Sequence, residues 1–249
     1  MKLRPPVVDY RKLRLHNLNT PEFRHLWLLL YWIGYLIAFM FIERLTPAAT
    51  HYTVHHWLDD VIPFCEWFLI PYVSWIVSLA WISLYTLAYD IEEFKYFMYN
   101  LILTTGTTII IYIIWPNQQL LRPDLSTLGR SNLLTWGASI IYGVDTNTNV
   151  CPSLHCIGAF CVAYAVTSCP RFHTRGWKIF AAVWALMVCA STVFMKQHSI
   201  MDFFAAIPFA VIGYFLFYFP RRKAIAAKAA KAAREKAASE QPADPAQAA

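Results

Sequence analysis

The chain has 249 residues, of which 58% are apolar and 16% aromatic, while only 14% are charged. Soluble domains carry roughly 25% Asp, Glu, Lys and Arg, so much of this surface is expected to face lipid instead of water. With 8 Gly, 10 Trp, 17 Phe and 6 Cys, the chain as a whole is neither disordered, collagen-like nor a small disulfide scaffold. The net charge of +6 sits in segments that flank apolar runs, which disfavours nucleic acid as a partner.

In chain order, a basic segment over residues 1–25 comes first, with Lys2, Arg4, Arg11, Lys12, Arg14 and Arg24 and no apolar core of the secretory kind. Six stretches then approach the roughly 20 apolar residues needed to cross a hydrocarbon core. They are residues 26–42, 64–89, 96–115, 153–169, 179–195 and 201–219. The first is read as an uncleaved anchor, and residues 26–220 as an all-α, polytopic six-transmembrane-helix bundle. Pro71 and Pro208 fall inside two runs and are expected to kink them, because proline removes a backbone donor and clashes one turn back. Thr105, Gly106, Thr107 and Thr108 put small residues on the third span, a pattern for close helix packing. Residues 221–249, rich in Ala, Lys and Glu, are read as a basic tail that prolongs the last helix and then frays.

Sixteen of the 21 Lys and Arg fall before residue 26, over Arg171 to Lys178, or over Arg221 to Lys236. With six spans these regions share one side, and the positive-inside rule makes it cytoplasmic. The expectation is an integral protein of the plasma (inner) membrane with both termini in the cytoplasm.

Chemistry-bearing residues gather at the opposite ends of the spans. Asn149, Val150, Cys151, Pro152, Ser153, Leu154 and His155 open the fourth span, where proline suits a first helical turn and free N–H groups make an anion site. Around the turn between the fifth and sixth spans, His198 and Asp202 are four residues apart, so a helix starting there lets the carboxylate hold one imidazole nitrogen and leaves the other for chemistry. Arg122 and Pro123 lie in the long loop between the third and fourth spans.

Together these segments resemble the type-2 phosphatidic acid phosphatase superfamily, whose patterns are K-x6-RP, PSGH and S-R-x5-H-x3-D. The chain has Arg122 and Pro123, then Pro152, Ser153, Leu154 and His155, then Ser191 and Thr192 followed by His198 and Asp202. It departs from the family with Trp115 in place of Lys, Leu154 in place of Gly and Thr192 in place of Arg. The resemblance implies that His198 attacks phosphorus to give a phosphohistidine, with Asp202 orienting it and His155 acting as acid and then base. It also implies that Ser153, Ser191 and Arg122 bind the phosphoryl oxygens, that Lys196 supplies a second cation, and that no metal or other cofactor is needed. An arginine restored at 192 is expected to be tolerated or to raise activity.

The substrate implied is a lipid phosphomonoester or diphosphate with water as acceptor, membrane lipids being the surroundings. The departures also resemble the branch related to inositol phosphorylceramide synthases, which pass a phospho-head group to an alcohol. A six-span transporter is a third reading, but it predicts charge near mid-bilayer, whereas His198, Asp202 and Glu66 lie at span ends. His51, His55, His56, Asp59 and Asp60 in the first outer loop have four-residue spacings compatible with a metal. An interfacial amphipathic helix explains the same mixture and is preferred.

Overall fold

The computed structural model describes residues 5–45 and 51–239. Among the described residues the chain is all-α apart from one pair of two-residue strands. Its helices are α1 (Leu30–Leu45), α2 (Trp57–Val61), α3 (Leu69–Tyr89), α4 (Ile91–Ile114), α5 (Leu133–Val144), α6 (Leu154–Ser168), α7 (Arg175–Phe194), α8 (Ile200–Gly213) and α9 (Phe219–Ser239). A π-helical stretch, Tyr214–Tyr218, joins the last two. The strands β1 (Tyr52–Thr53) and β2 (Asn117–Gln118) pair in parallel and tie two loops together.

Among the described residues five helical segments are long and apolar enough to cross a membrane: Arg24–Ile42, Glu66–Tyr89, Ile91–Ile114, Arg175–Phe194 and Ile200–Glu235. The fourth expected span, α6, is shorter at 15 residues, about 22 Å at 1.5 Å per residue. Eleven of those residues are buried, because α6 is the axis on which α3, α4, α7 and α8 pack. Small residues on it, among them Gly158, Ala159, Ala163 and Ala165, let the neighbours come close. At Gly158 an added Cβ would lie 2.5 Å from Trp75 Nε1, so Trp75 of α3 fits only because that side chain is missing. Phe94, Phe97, Met98 and Leu101 of α4 and Ile157, Val162, Val188 and Ala206 complete the core. Ile33, Ile76, Ile113, Phe180, Leu186 and Phe204 point outward, an apolar surface compatible with a membrane protein.

One expectation is corrected here and one is narrowed. Pro71 occupies the first turn of α3, where the N–H has no intrahelical acceptor anyway, so no kink is required. Gly106 has open space around it, and the packing face of α4 is carried by Thr104, Thr105 and Thr108, all buried. Each threonine hydroxyl is returned to a carbonyl one turn back. Pro208 does lie inside α8.

The two ends of the bundle differ. At one end, Asp90 is both the last cap of α3 and the first cap of α4. There Arg221 at the start of α9 reaches Glu93 at 3.0 Å and Asp90 at 3.7 Å. Arg222 donates to Thr167 Oγ1 at 2.7 Å. The N-terminal segment folds onto the same end, Val7 N–H and Tyr10 O–H donating to the carbonyls of Ala88 and Leu87. The tail is helical as far as Ser239, and the fraying expected beyond it falls on residues 240–249, outside the described ones. The opposite end collects β1, β2, α2, α5, the start of α6 and the α7–α8 turn.

Candidate functional site

The α7–α8 turn, Met195 to Ser199, receives bonds from nearly every segment around it. Thr192 O accepts from the N–H groups of Gln197 and His198 at 2.9 and 3.1 Å. Tyr142 of α5 donates to Met195 O at 2.7 Å, and Gln119 Nε2, just past β2, to Lys196 O at 2.9 Å. Arg122 holds Gln197 Oε1. Lys196 takes φ = +54°, a left-handed conformation that costs a non-glycine residue roughly 1–2 kcal/mol. The surrounding bonds hold it there.

This turn sets His198 against α8. His198 Nδ1 lies 3.0 Å from Asp202 Oδ2, and Asp202 is fully buried. The same oxygen accepts Ser199 N–H at 3.0 Å. Across the gap, His155 Nδ1 lies 3.2 Å from His198 Nε2. The carboxylate can only accept, so His198 Nδ1 carries the proton there and its Nε2 offers a lone pair to His155. Burial disfavours the imidazolium of His198, but the hydrogen bond and charge of Asp202 outweigh it and raise its pKa above the ordinary 6.5. His155 is held by Tyr72 and Trp75 of α3, with ring centroids at 4.5 and 4.3 Å. Tyr72 in turn donates to Asp145 Oδ2 at 2.7 Å.

The segment before α6 is built by Asn117, which is fully buried. Its Oδ1 accepts the N–H groups of Val150 and Cys151, both at 2.8 Å, and its Nδ2 donates to Trp115 O and Cys151 O. Tyr112 O–H donates to Pro152 O at 2.6 Å. Ser153 is the N-cap of α6, so Pro152 precedes the first turn instead of occupying it. Ser153 Oγ accepts Cys156 N–H at 3.3 Å, and Ser153 N–H donates to Asp202 O at 3.1 Å. Only the N–H groups of Leu154 and His155 keep the orphan status expected of a helix start. Burial beside Asp202 pushes the Cys151 thiol well above its ordinary range.

The structure therefore brings His155, His198, Asp202 and Ser153 together. The other expected phosphate-binding residues are engaged differently. Ser191 is fully buried and its hydroxyl donates to Val188 O inside α7. Arg122 gives its guanidinium to the carbonyls of Tyr142, Asp145 and Thr146, capping the C-terminal end of α5, and stacks on the Tyr142 ring at 4.7 Å. Lys196 Nζ donates to Asp59 O at 2.5 Å. Burial lowers the Lys196 pKa against the opposing pull of Asp59 and Asp60. Thr192 is fully buried with its hydroxyl on Cys189 O, so an arginine there would force a guanidinium into the core. The expected tolerance of that substitution is corrected to a loss of stability.

The cluster between the first two expected spans divides. His56 caps α2, and His55 pairs with Asp60 at the surface at 2.9 Å. Asp59 turns inward and is buried. Among the described residues no group of three His, Cys, Asp or Glu is arranged to hold a metal. Two hollows of about 520 and 250 Å³ lie elsewhere and neither is lined by a histidine. Sequence reasoning missed α5, Asn117, Gln119, Tyr72 and Trp75. The polar run Asn117, Gln118, Gln119 directly after an apolar span was the one local signal. Comparison with protein-family models, with curated proteins and with solved structures finds no match.

Proposed function

We propose that this protein is a six-span membrane phosphatase of the type-2 phosphatidic acid phosphatase kind, removing phosphate from a lipid phosphomonoester or diphosphate through a phosphohistidine. The observation that carries the reading is the line His155, His198, Asp202, drawn from segments 43 and 4 residues apart and joined at 3.2 and 3.0 Å. In the six-span arrangement α6 is the fourth crossing, its short length completed by the built loop at one end and residues 170–172 at the other. Both termini are cytoplasmic and the histidines open to the outer face, a reading supported by the basic segments gathered at the opposite end.

In the first step a phosphoryl group enters between the two rings. The lone pair of His198 Nε2 forms a bond to phosphorus while the bond to the leaving oxygen breaks. His155, doubly protonated beside the phosphate charge, gives its Nδ1 proton to that oxygen and becomes neutral. Asp202 stabilises the positive charge on the phosphorylated ring. In the second step neutral His155 takes a proton from water, the water oxygen bonds to phosphorus, and the N–P electron pair returns to His198. The lipid class is supported by the apolar hollow of about 250 Å³ lined by Ser78, Trp81, Val162, Val166 and Trp184. Its α6 residues, Val162 and Val166, continue the face that carries His155 and Gly158.

A second reading, transfer of the phospho-group to an alcohol, draws on the engagement of Arg122 and Lys196 with backbone carbonyls and on the aromatic walls around His155. Such a site has less cationic character and would favour an organic acceptor over water. The test incubates detergent-purified protein with phosphate-labelled phosphatidic acid and related lipid phosphates. Phosphate release and an acid-labile phosphoprotein are expected, both lost in His198→Ala and neither affected by EDTA. Activity retained in His198→Ala, or abolished by EDTA, refutes the mechanism. Failure to release phosphate together with phosphodiester formation from inositol, glycerol or a ceramide-like alcohol selects the transferase.

A further inference from the structure

Asp59 belongs to α2, far along the chain from the histidines, yet its carboxylate lies against the start of α8. Oδ1 accepts Ile200 N–H at 2.8 Å. Oδ2 accepts the Ser199 hydroxyl at 2.5 Å and His56 N–H at 2.8 Å. Its carbonyl takes Lys196 Nζ. Asp59 is 1% exposed, and burying a carboxylate is costly unless it is well hydrogen-bonded. Capping alone does not account for it. Ser199 already caps α8 through Met201 N–H at 3.2 Å, and Asp202 completes the capping box on Ser199 N–H. Asp59 also completes the α2 capping box on His56 N–H and takes the Ile200 N–H of α8; its bond from the Ser199 hydroxyl is the one contact that capping does not require, and it points to another task.

We propose that Asp59 is a positioning residue for His198: by binding the Ser199 hydroxyl it reserves Asp202 for His198 and adds negative charge behind that pair. This role rests on the proposed reaction, in which His198 is the nucleophile. The geometry supplies the reason. Ser199 has one hydroxyl proton and touches both carboxylates, through its hydroxyl on Asp59 and its N–H on Asp202. With that proton on Asp59, Asp202 Oδ2 receives only Ser199 N–H and His198 Nδ1–H. Asp59 itself is held by the His56 cap of α2 and, two residues before that cap, by Val54 N–H on Gln118 O at 2.8 Å. The first outer loop is thereby a part of the turn that presents the histidine.

The charged and titratable groups facing His198 are Asp202 from α8, His155 and Cys156 from α6, and Asp145 from the end of α5. Asp59 and Lys196 stand behind the turn with opposite signs. Neutralising Asp59 therefore lowers the proton affinity of His198, whereas a purely mechanical cap would leave it unchanged.

The experiment titrates ring-labelled histidine by NMR in the full-length protein in detergent without substrate, with the His198 signal assigned by its loss in His198→Gln. Asp59→Asn is expected to lower the His198 midpoint by about half a pH unit to one unit, and Asp59→Glu to restore most of the shift. A folded Asp59→Asn protein with an unmoved midpoint overturns the proposal. Where Asp59→Asn does not fold, Ser199→Ala keeps both carboxylates and removes only the hydroxyl. With both carboxylates and the Ser199 N–H bond to Asp202 kept, the His198 midpoint is then expected to stay within about 0.3 pH unit of wild type, and a fall of about half a unit or more overturns the proposal by showing that the hydroxyl, not the Asp59 charge, sets it. No lipid phosphate is present, so the outcome is independent of phosphate release. A shifted midpoint in a protein that releases no phosphate from any lipid leaves the positioning role standing and removes the reaction.

Discussion

Replacing Asn117 with alanine removes four hydrogen bonds at one stroke and tests whether a single amide builds the approach to α6. The N–H groups of Val150 and Cys151 each lose their acceptor, and the carbonyls of Trp115 and Cys151 each lose a donor. Asn117 is fully buried, so water does not readily replace these partners. An unpaired buried N–H costs about 1–3 kcal/mol and an under-satisfied carbonyl somewhat less. Local stability is thus expected to fall by about 3–5 kcal/mol. The loop does not carry the whole bundle, so the change is read locally, by hydrogen–deuterium exchange of peptides covering residues 147–154. At about 1.4 kcal/mol per factor of ten, those amides are expected to exchange roughly a hundredfold to a few thousandfold faster. Peptides from α3 serve as the control and are expected to stay at the wild-type rate. Exchange at Val150 and Cys151 within about threefold of wild type would refute the reasoning, since it would mean that Asn117 contributes little to the loop.

Three further outcomes follow from the same geometry. Gly158→Ala forces Trp75 away from His155 because the new methyl meets the indole at 2.5 Å; a loss of about 1–3 kcal/mol in thermal unfolding is expected. Adding Trp75→Phe should recover part of it, and additive losses in the double variant would show that the two residues do not touch. In the proposed reaction His198 attacks as the neutral ring, and Asp202 holds its pKa above 6.5, so kcat/KM should rise with pH through a midpoint above 6.5. Stability from the His198–Asp202 ion pair runs the other way: complete below 6.5, it is lost as pH climbs through the folded midpoint. Asp202→Asn should shift the activity midpoint down, and a pH profile indifferent to it would contradict the pairing. In a Cys65→Ser background, a cysteine at the exposed position 124 should react with an impermeant maleimide in intact cells while one at exposed 175 should not; the reverse pattern would invert the topology.

Sequence by itself determined the features that depend on neighbours along the chain. Long apolar runs bounded by polar residues gave α3, α4 and α7 close to their observed limits, because a helix satisfies its own backbone and needs no distant partner to be recognised. The four-residue step from His198 to Asp202 was legible for the same reason, since residues one helical turn apart meet whatever the rest of the fold does. Short elements were less legible: α5 is only 12 residues long, and it lay hidden in what reads as a loop. Tertiary structure alone decided which polar groups would meet across the chain. His155 faces His198 over 43 residues and Asp59 reaches Ser199 over 140. Arg122, whose position suggests a phosphate ligand, instead caps the end of α5. Buried backbone donors and acceptors must find partners, and which of them the folded loops leave bare depends on how the helices pack. No local pattern of residues encodes that outcome.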